Sequence, residues 1–468
     1  MAIDFKHPEY NKYFPIWQKI SDISKIENVA DYLITLNPQD LSDENRQRNE
    51  QYRKRAIFHP VTQHTVVGML SMLFAKWPEL ELPAQLEYIK TNCDGSGNSI
   101  YQQSQKVALD LIRVSRAGLS VSFPRTERGA SMADINEGRV FATIQSHDAR
   151  QIINWRRTNI GAKSVLSLVV IMDKTEVVGD DGYKIEYKDT IREMFLEGGV
   201  YSERLWQKND KDEWIVMDAF TPTDGNGNTW DEIPFTFAGS EDNDSSVDNP
   251  AMLGMTDLNI GLYRNSADYE DSVWYTGQAQ PWMSGITQDH IDMLQHNNMY
   301  VGSRNLLGVP SGEQFNFASA PPNPMVRQAM LDKIDQMIML GARLLKPSGQ
   351  ARTATEVSGD QEVQHSTLSL ISSNLSEAYT RAIGWCGRYM NADTNKAYYK
   401  TTMDFVTHQM DANELRVMIE GFVQGAIPAA DYHDYLKKRD LTDKEKTLED
   451  FQDELNVSSE AMVNLGEE

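Results

Sequence analysis

Residues 323–391 organise the rest of the chain, with the sequence NPMVRQAMLDKIDQMIMLGARLLKPSGQARTATEVSGDQEVQHSTLSLISSNLSEAYTRAIGWCGRYMN. Pro324 stands where a helix tolerates proline, because the first-turn N–H that it lacks would have no partner there. Apolar side chains then follow helical spacing, at positions 326, 330, 334, 337, 338 and 345. The pattern predicts a helix over residues 323–345.

A break and a longer helix come next. Pro347 and Gly349 interrupt the periodicity. Thr353-Ala-Thr-Glu356 then has the form of a capping box, in which the Thr hydroxyl accepts from the amide three residues on and the Glu reaches back. The helix that this box begins is predicted over 354–391, and its apolar stripe lies at positions 368, 371, 375, 378, 382, 385 and 389.

The first part of this long helix, residues 357–367, is mostly polar. A helix of that composition is marginal in water on its own, since most helical stability in proteins comes from packing. We therefore expect neighbours to contact it, and further copies of the same chain are the expected neighbours.

A helix of similar length is predicted earlier, over Leu253–Tyr275. Between the two matched helices lies an insert, residues 276–322, which contains Pro281-Trp282 and the turn Pro310-Ser-Gly312. The residue pattern within the insert predicts a short helix at Thr287–Gln295. It also predicts two strands, at Asn305–Val309 and Gln314–Ala318. The chain would run out along one helix, through a small α/β knob, and back along the other.

The segments outside this unit predict a mixture of helices and strands. Helical patterns occupy the first 117 residues, and residues 140–238 are rich in strand patterns separated by turns. The strand candidates are Gly118–Phe123, Val140–Ile144, Val165–Met172, Tyr183–Phe195, Val200–Gln207, Trp214–Phe220 and Tyr398–Phe405. Helices are predicted over Asn413–Gln424 and up to Lys438, before an acidic tail at 440–468. The fold class is α+β.

Charge and cysteine content limit the function. The chain of 468 residues has a formal net charge of −23, which argues against a protein that grips DNA phosphates, because that affinity comes from Lys and Arg. Two cysteines outside any Cys-x-x-Cys predict neither a disulfide framework nor a zinc site. The polar N-terminus does not resemble a signal peptide, and apolar runs such as Val165–Met172 are too short to span a bilayer.

No catalytic motif is present. Gly-x-Ser-x-Gly, His-Glu-x-x-His and Gly-x-Gly-x-x-Gly do not occur, so the sequence predicts neither an enzyme nor a cofactor. One alternative stays open, a metal-dependent hydrolase that uses the acidic loop with Asp242, Asp244 and Asp248, although this loop lacks the Gly and the final Glu of a calcium-binding loop. The charged stretch Glu44–Arg55 favours a solvated helix face over a nucleic-acid contact.

The chain resembles the portal proteins of tailed double-stranded DNA bacteriophages. Five segments carry this resemblance in combination: Asn45–Ala56, Arg116–Pro124, Ile152–Arg156, Leu258–Glu270 and Thr353–Glu356. The resemblance covers roughly residues 5–440.

The resemblance implies a portal fold with six named parts. A wing would comprise residues 1–252 together with the long wing helix, 354–391. Two stem helices, 253–275 and 323–345, would enclose a clip at 276–322. A tunnel loop would lie at 346–353, and the remaining residues, 392–468, would form a C-terminal wing or crown with an acidic tail.

The resemblance also implies a function. Twelve subunits would form a ring at one capsid vertex, assembled in the bacterial host cytoplasm, through which double-stranded DNA enters and leaves. In the tunnel loop, Lys346, Gln350, Arg352 and Thr353 would face the DNA. In the clip, Trp282, Arg304, Phe315 and Phe317 would dock the terminase large subunit and later the head–tail adaptor. The major capsid or scaffolding protein would be a further partner, and no membrane, metal or cofactor is expected.

Overall fold

A computed structural model describes most of the chain, in two compact units, Met1–Met403 and Asp404–Glu468. The residues it describes are 3–124, 140–178, 182–209, 211–277, 280–285, 287–288, 292, 314–318, 324–341, 354–402, 427–438 and 446–452. Strands and helices are mixed along the first unit, as the sequence predicts. None of the helices within these ranges has a stretch that is long and apolar enough to cross a bilayer.

The first unit begins with helices that form where the sequence predicts them. They are α1 (Pro8–Lys25), α2 (Asp43–Arg55), α3 (Val61–Leu73) and α4 (Ile100–Val114). Helix α4 begins with a capping box, in which the Ser99 side chain accepts from the Gln102 amide and the Gln102 side chain accepts from the Ser99 amide. Its apolar face is buried, with Val107 and Leu111 at 1% and 0% exposure.

Among the described residues of this unit, the strands form three sheets besides the hairpin described below. A two-stranded sheet joins β1 (Glu79–Glu81) to β12 (Tyr398–Lys400). A three-stranded antiparallel sheet has the order β3-β2-β9, from β2 (Arg116–Ser122), β3 (Thr143–Asp148) and β9 (Phe235–Gly239). A five-stranded antiparallel meander follows chain order from β4 to β8, with β4 (Ile152–Ile160), β5 (Lys163–Val178), β6 (Ile185–Glu197), β7 (Val200–Lys208) and β8 (Trp214–Phe220).

Several of the strand predictions need correction, and some strands were missed. The strand predicted at Tyr398–Phe405 ends at Lys400. The strand predicted at Val140–Ile144 begins at Thr143 and runs to Asp148, because it pairs with β2 over that range. Strand β4 was not predicted, since its second half is exposed and polar and shows no alternation. Strand β9 was not predicted either, because all five of its residues are buried and a short, fully buried run carries no period.

Helix α7 (Ala354–Met390) is the long helix that the sequence predicts. Every position of the predicted apolar stripe is buried: Leu368, Ile371, Leu375, Ala378, Ala382, Trp385 and Tyr389. Polar side chains fix the helix along the same length. The Tyr379 hydroxyl donates to Gln103 at 3.2 Å, and the Asn374 side chain donates to the Gly239 carbonyl at 3.0 Å.

Both cysteines lie in this packed region. Cys93 and Cys386 are fully buried and free. Burial raises the pKa of the Cys93 thiol to about 12, and it also raises the pKa of Cys386.

The C-terminal end of α7 is closed by its own chain and by a loop. Asn391 has φ of 51°, the left-handed conformation that ends helices, and the Ala392 amide donates to the Gly387 carbonyl at 2.9 Å. From the turn after β8, the Gly225 amide donates to the Arg388 carbonyl at 3.0 Å. A Cβ on Gly225 would lie 2.7 Å from the Tyr389 carbonyl, so this turn requires glycine.

The second unit contains α8 (Ala429–Lys438) among its described residues. His433 is buried there and stacks on Phe451, with ring centroids 4.9 Å apart. The helix predicted up to Lys438 is therefore present. The helix predicted at Asn413–Gln424 and most of the acidic tail lie outside the described residues.

Two glycines on α7 give a matched test of this packing. A Cβ on Gly387 would meet the Thr394 side chain and lie 3.1 Å from the Ala392 carbonyl, whereas a Cβ on Gly384 would meet nothing within 4 Å. We expect Gly387→Ala to lower the free energy of unfolding by about 1–3 kcal/mol through overpacking. Gly384→Ala should raise it by up to about 1 kcal/mol through helix propensity. Thermal and urea unfolding measure both, and a shift of both variants in the same direction would contradict this packing.

Candidate functional site

Helices α5 (Leu253–Gly277) and α6 (Pro324–Met339) form an antiparallel pair. Gly254 lies beside Leu340 and Gly261 beside Lys333, so residue numbers rise on one helix as they fall on the other. Met255, Leu262 and Met337 form the buried contact between the helices, with Val61, Leu258, Met330 and Ile334 packed around it. The predicted helices are present, and the second ends at Met339; residues 342–345 lie outside the described residues.

A β-hairpin occupies part of the insert between these helices. Strand β10 (Gln280–Ser284) pairs antiparallel with β11 (Gln314–Ala318). Strand β11 was predicted and β10 was not, since Pro281 weakens a strand pattern. The predicted strand at 305–309 lies outside the described residues, as do most residues of the predicted helix at 287–295.

The hairpin holds three of the four residues predicted for partner docking. Trp282 is 41% exposed and pairs in register with Asn316. Phe315 and Phe317 pair with Met283 and Pro281, so the hairpin brings all three aromatic residues onto adjacent rungs. Arg304 lies outside the described residues.

The four residues predicted for DNA contact also lie outside the described residues. They are Lys346, Gln350, Arg352 and Thr353. What the structure describes are the helices that precede and follow them in the chain, α6 and α7.

Helix α2 binds the side of α5 through arginine. Arg55 donates to one oxygen of the Asp271 carboxylate at 2.8 Å, and Arg48 donates to the other at 3.3 Å. The Tyr52 hydroxyl donates to Asp268 at 2.7 Å. The Asp271 side chain is only 14% exposed, so these contacts hold α5 against α2.

The prediction of a solvated face for Glu44–Arg55 is therefore correct only in part. Lys54 pairs with Glu50 and Arg46 with Asp43 on the exposed side, as the prediction requires. The arginines at 48 and 55 instead contact α5, which sequence reasoning missed. The spacing of seven residues, which returns a helix to the same face after two turns, was the available signal.

The acidic loop after β9 does not support a metal site. The Asp242 carboxylate accepts from the Asp244 amide at 2.8 Å, and Asp244 accepts from the Ser246 amide and hydroxyl. Asp248 accepts from the Glu241 amide at 2.8 Å. The three carboxylates hold the loop's own backbone, and among the described residues no group of three or more His, Cys, Asp or Glu side chains could hold a metal ion.

Arg116 fixes this acidic loop from inside. Its guanidinium donates to the carbonyls of Ser246 and Ser245 at 2.5 and 3.2 Å. It lies 4.5 Å from the Trp155 ring centroid and 3.9 Å from that of Phe237. Burial lowers the pKa of Arg116 to about 10. The loop is thus a structural element held by a buried arginine.

Two aspartates on α5 test the arginine contact. Asp271→Asn keeps the size of the side chain but removes both ion pairs in a nearly buried place, and we expect it to lower the free energy of unfolding by about 1–3 kcal/mol. Asp257→Asn is the matched control: the Asp257 side chain is 54% exposed and, among the described residues, pairs with Lys19. That control should cost less than about 1 kcal/mol. Equal losses of stability in the two variants would contradict the role given to Asp271.

Comparison with known proteins gives one family match and several similar structures. The family model described as "Domain of unknown function (DUF4055)" matches residues 251–390, which extend from the start of α5 to the end of α7. No curated protein matches the chain. In the solved structure "Virion of native gene transfer agent (GTA) particle", a chain is 11% identical at a TM-score of 0.40, with 81% of this chain and 88% of that chain covered.

A second solved structure, "Neck of empty GTA particle computed with C6 symmetry", is similar at the same level. Its chain is 10% identical at a TM-score of 0.40, with 79% of this chain and 86% of that chain covered. Likenesses this low leave the function of the chain to be argued from its own residues. The family model, in turn, spans the helix pair, the hairpin and the long helix as one continuous unit.

Proposed function

We propose that this chain is a portal subunit, which forms a ring around a DNA channel at one vertex of a phage-like capsid. The observation that carries the proposal is the order of elements from Leu253 to Met390: a helix, a hairpin, an antiparallel return helix and a helix of 37 residues. The same order follows from the sequence resemblance to portal proteins, where it corresponds to stem, clip, stem and wing helix.

The helix pair supports a role in assembly. One flank of α5 is covered by α2 and α1, through Asp271, Asp268 and Asp257. Helix α6 has one buried residue, Met337, and its outer side exposes Met325, Leu331 and Met339. The described part of the chain covers this two-helix layer on one side, and a ring of copies would cover the other. Heterologous contacts between identical chains close when the rotation closes.

The charge of the chain supports a channel that DNA crosses without being held. A net charge of −23 repels the phosphate backbone over most of the surface. The cations of Lys346 and Arg352 in the predicted tunnel loop would be weak contacts against that background. The proposed ring would serve packaging, head–tail attachment and DNA release.

The hairpin supports a docking role. It holds Trp282 half-exposed at the far end of the helix pair, and two strands alone are marginally stable in water. Further chains would stabilise it, first neighbouring copies and then the packaging motor and the adaptor. The metal-dependent hydrolase has no support from the acidic loop, whose carboxylates bind the loop backbone.

Purified protein should form rings with a central channel. The expected result in negative-stain images is a population of closed rings, of twelve subunits or a neighbouring number, and light scattering should give the corresponding mass. A mass equal to one or two chains over a wide range of concentration would contradict the proposal.

The predicted tunnel loop should affect DNA handling but not assembly. Arg352→Ala removes a guanidinium that can pair with phosphate, and each such contact exposed to water is worth at most about 1 kcal/mol. We expect normal rings and an altered length or retention of packaged DNA. Thr353→Ala changes the predicted helix cap instead; it should cost about 1 kcal/mol of local helix stability. If Arg352→Ala particles package and retain full-length DNA, the loop is only a connection between helices.

A further inference from the structure

Helix α5 ends in three large side chains that are exposed in the single chain. Val273, Trp274 and Tyr275 have exposures of 45%, 43% and 44%. Tryptophan and tyrosine next to arginine are the residues that dominate binding energy at protein interfaces. This set is called the α5 end patch below.

The arginines of α2 hold the patch in place. The Arg55 guanidinium lies 4.1 Å from the Trp274 ring centroid, and Arg48 donates to the Tyr275 hydroxyl at 2.6 Å. Because both arginines also bind Asp271, the two aromatic rings are fixed before any partner arrives. A surface that is already ordered loses little conformational entropy on binding.

The same ion pairs argue against a phosphate ligand. Arg48 and Arg55 share the Asp271 carboxylate, and Lys54 pairs with Glu50. Strong phosphate binding depends on cations that are left to neutralise the ligand. The α5 end patch is therefore suited to a protein surface that is largely apolar.

A matching surface lies at the start of α6. Met325 is 77% exposed there. The neighbouring pairs Gly254 with Leu340 and Gly261 with Lys333 fix the register of the two helices, and extending that register puts Met325 level with Tyr269. At 1.5 Å per residue, Trp274 is then about 7 Å further along the axis of the pair.

Ring symmetry brings these two surfaces together. In a ring whose axis runs along the helix pair, rotation preserves height along that axis, so the α6 side of one copy meets the α5 side of the next, with Trp274 about 7 Å from the level of the neighbour's Met325. Residues 273–277 contain no charged residue, and residues 324–331 contain no acidic residue and one cation, Arg327, whereas the whole chain has a net charge of −23. Contact between these stretches avoids the repulsion that identical acidic chains meet elsewhere.

We propose that the α5 end patch binds a second copy of this chain, with Trp274 packed against the start of the neighbour's α6 around Met325. The inference rests on the proposed ring and assigns one of its contacts. Trp274 is the anchor of this contact, and Arg55 and Asp271 are positioning residues that orient its ring.

Removal of Trp274 tests the contact against a matched tryptophan. Trp77 is 78% exposed and lies on a different part of the chain. Sedimentation velocity over a dilution series should show that Trp274→Ala needs at least about tenfold more protein for half assembly. Trp77→Ala should assemble within about twofold of the parent. Ring formation by Trp274→Ala at the parent's concentration overturns the inference.

A pair of introduced cysteines tests the same contact if Trp274→Ala fails to fold. Val273→Cys combined with Met325→Cys leaves the arginine contacts intact, and the two native cysteines are buried. Oxidation of assembled protein should give a ladder of covalent multimers on a non-reducing gel, and each single substitution should not. A single band at the mass of one chain, from rings that are otherwise normal, overturns the inference.

The outcomes separate the inference from the proposed function. Rings that form in both tryptophan variants and give no ladder overturn the contact and leave the portal proposal standing. Parent protein that stays monomeric overturns both. Normal rings of Trp274→Ala that no longer dock a motor or adaptor show that the patch binds a different protein, which also overturns the contact proposed here.

Discussion

Burial of one stripe on α7 is the constraint on which the first unit depends. The stripe from Leu368 to Tyr389 is covered by β2 and β9 on one side and by β12 and α4 on others. Helix α7 thereby joins elements that are far apart in sequence, as its Tyr379 bond to Gln103 shows. Large buried side chains make the greatest contribution to stability, so the sheets and the first helices are held by a helix that follows them in the chain.

That arrangement explains which parts of the fold could be predicted from sequence. The α7 stripe repeats over six turns, so its period is visible, and each predicted position is buried. Strand β9 is the opposite case. All five residues of Phe235–Gly239 are buried, and α7 packs against this strand. A run of buried residues without alternation does not predict a strand.

The candidate site was predictable to a similar extent. Two helices around an insert could be predicted from period and proline placement, although the second has 16 residues against 25 in the first and is shorter than predicted. The hairpin register then places Trp282 beside the predicted strand at 314–318. The contact of Arg48 and Arg55 with Asp271 could not be predicted, because it joins residues more than 200 positions apart. Helical charge patterns show a face but not its partner. The acidic loop stayed open as a metal site for a related reason. Carboxylates that cap backbone amides have the same spacing in the sequence as carboxylates that bind metal.

The two buried cysteines have a practical consequence for the motion of α7. A thiol reacts with alkylating reagents as the thiolate, and burial raises the pKa of both Cys93 and Cys386. Neither thiol is accessible while α7 stays packed. Alkylation of the folded chain must therefore wait for an opening event, so its rate measures how often this helix separates from its neighbours. The two native cysteines thus report the opening of α7.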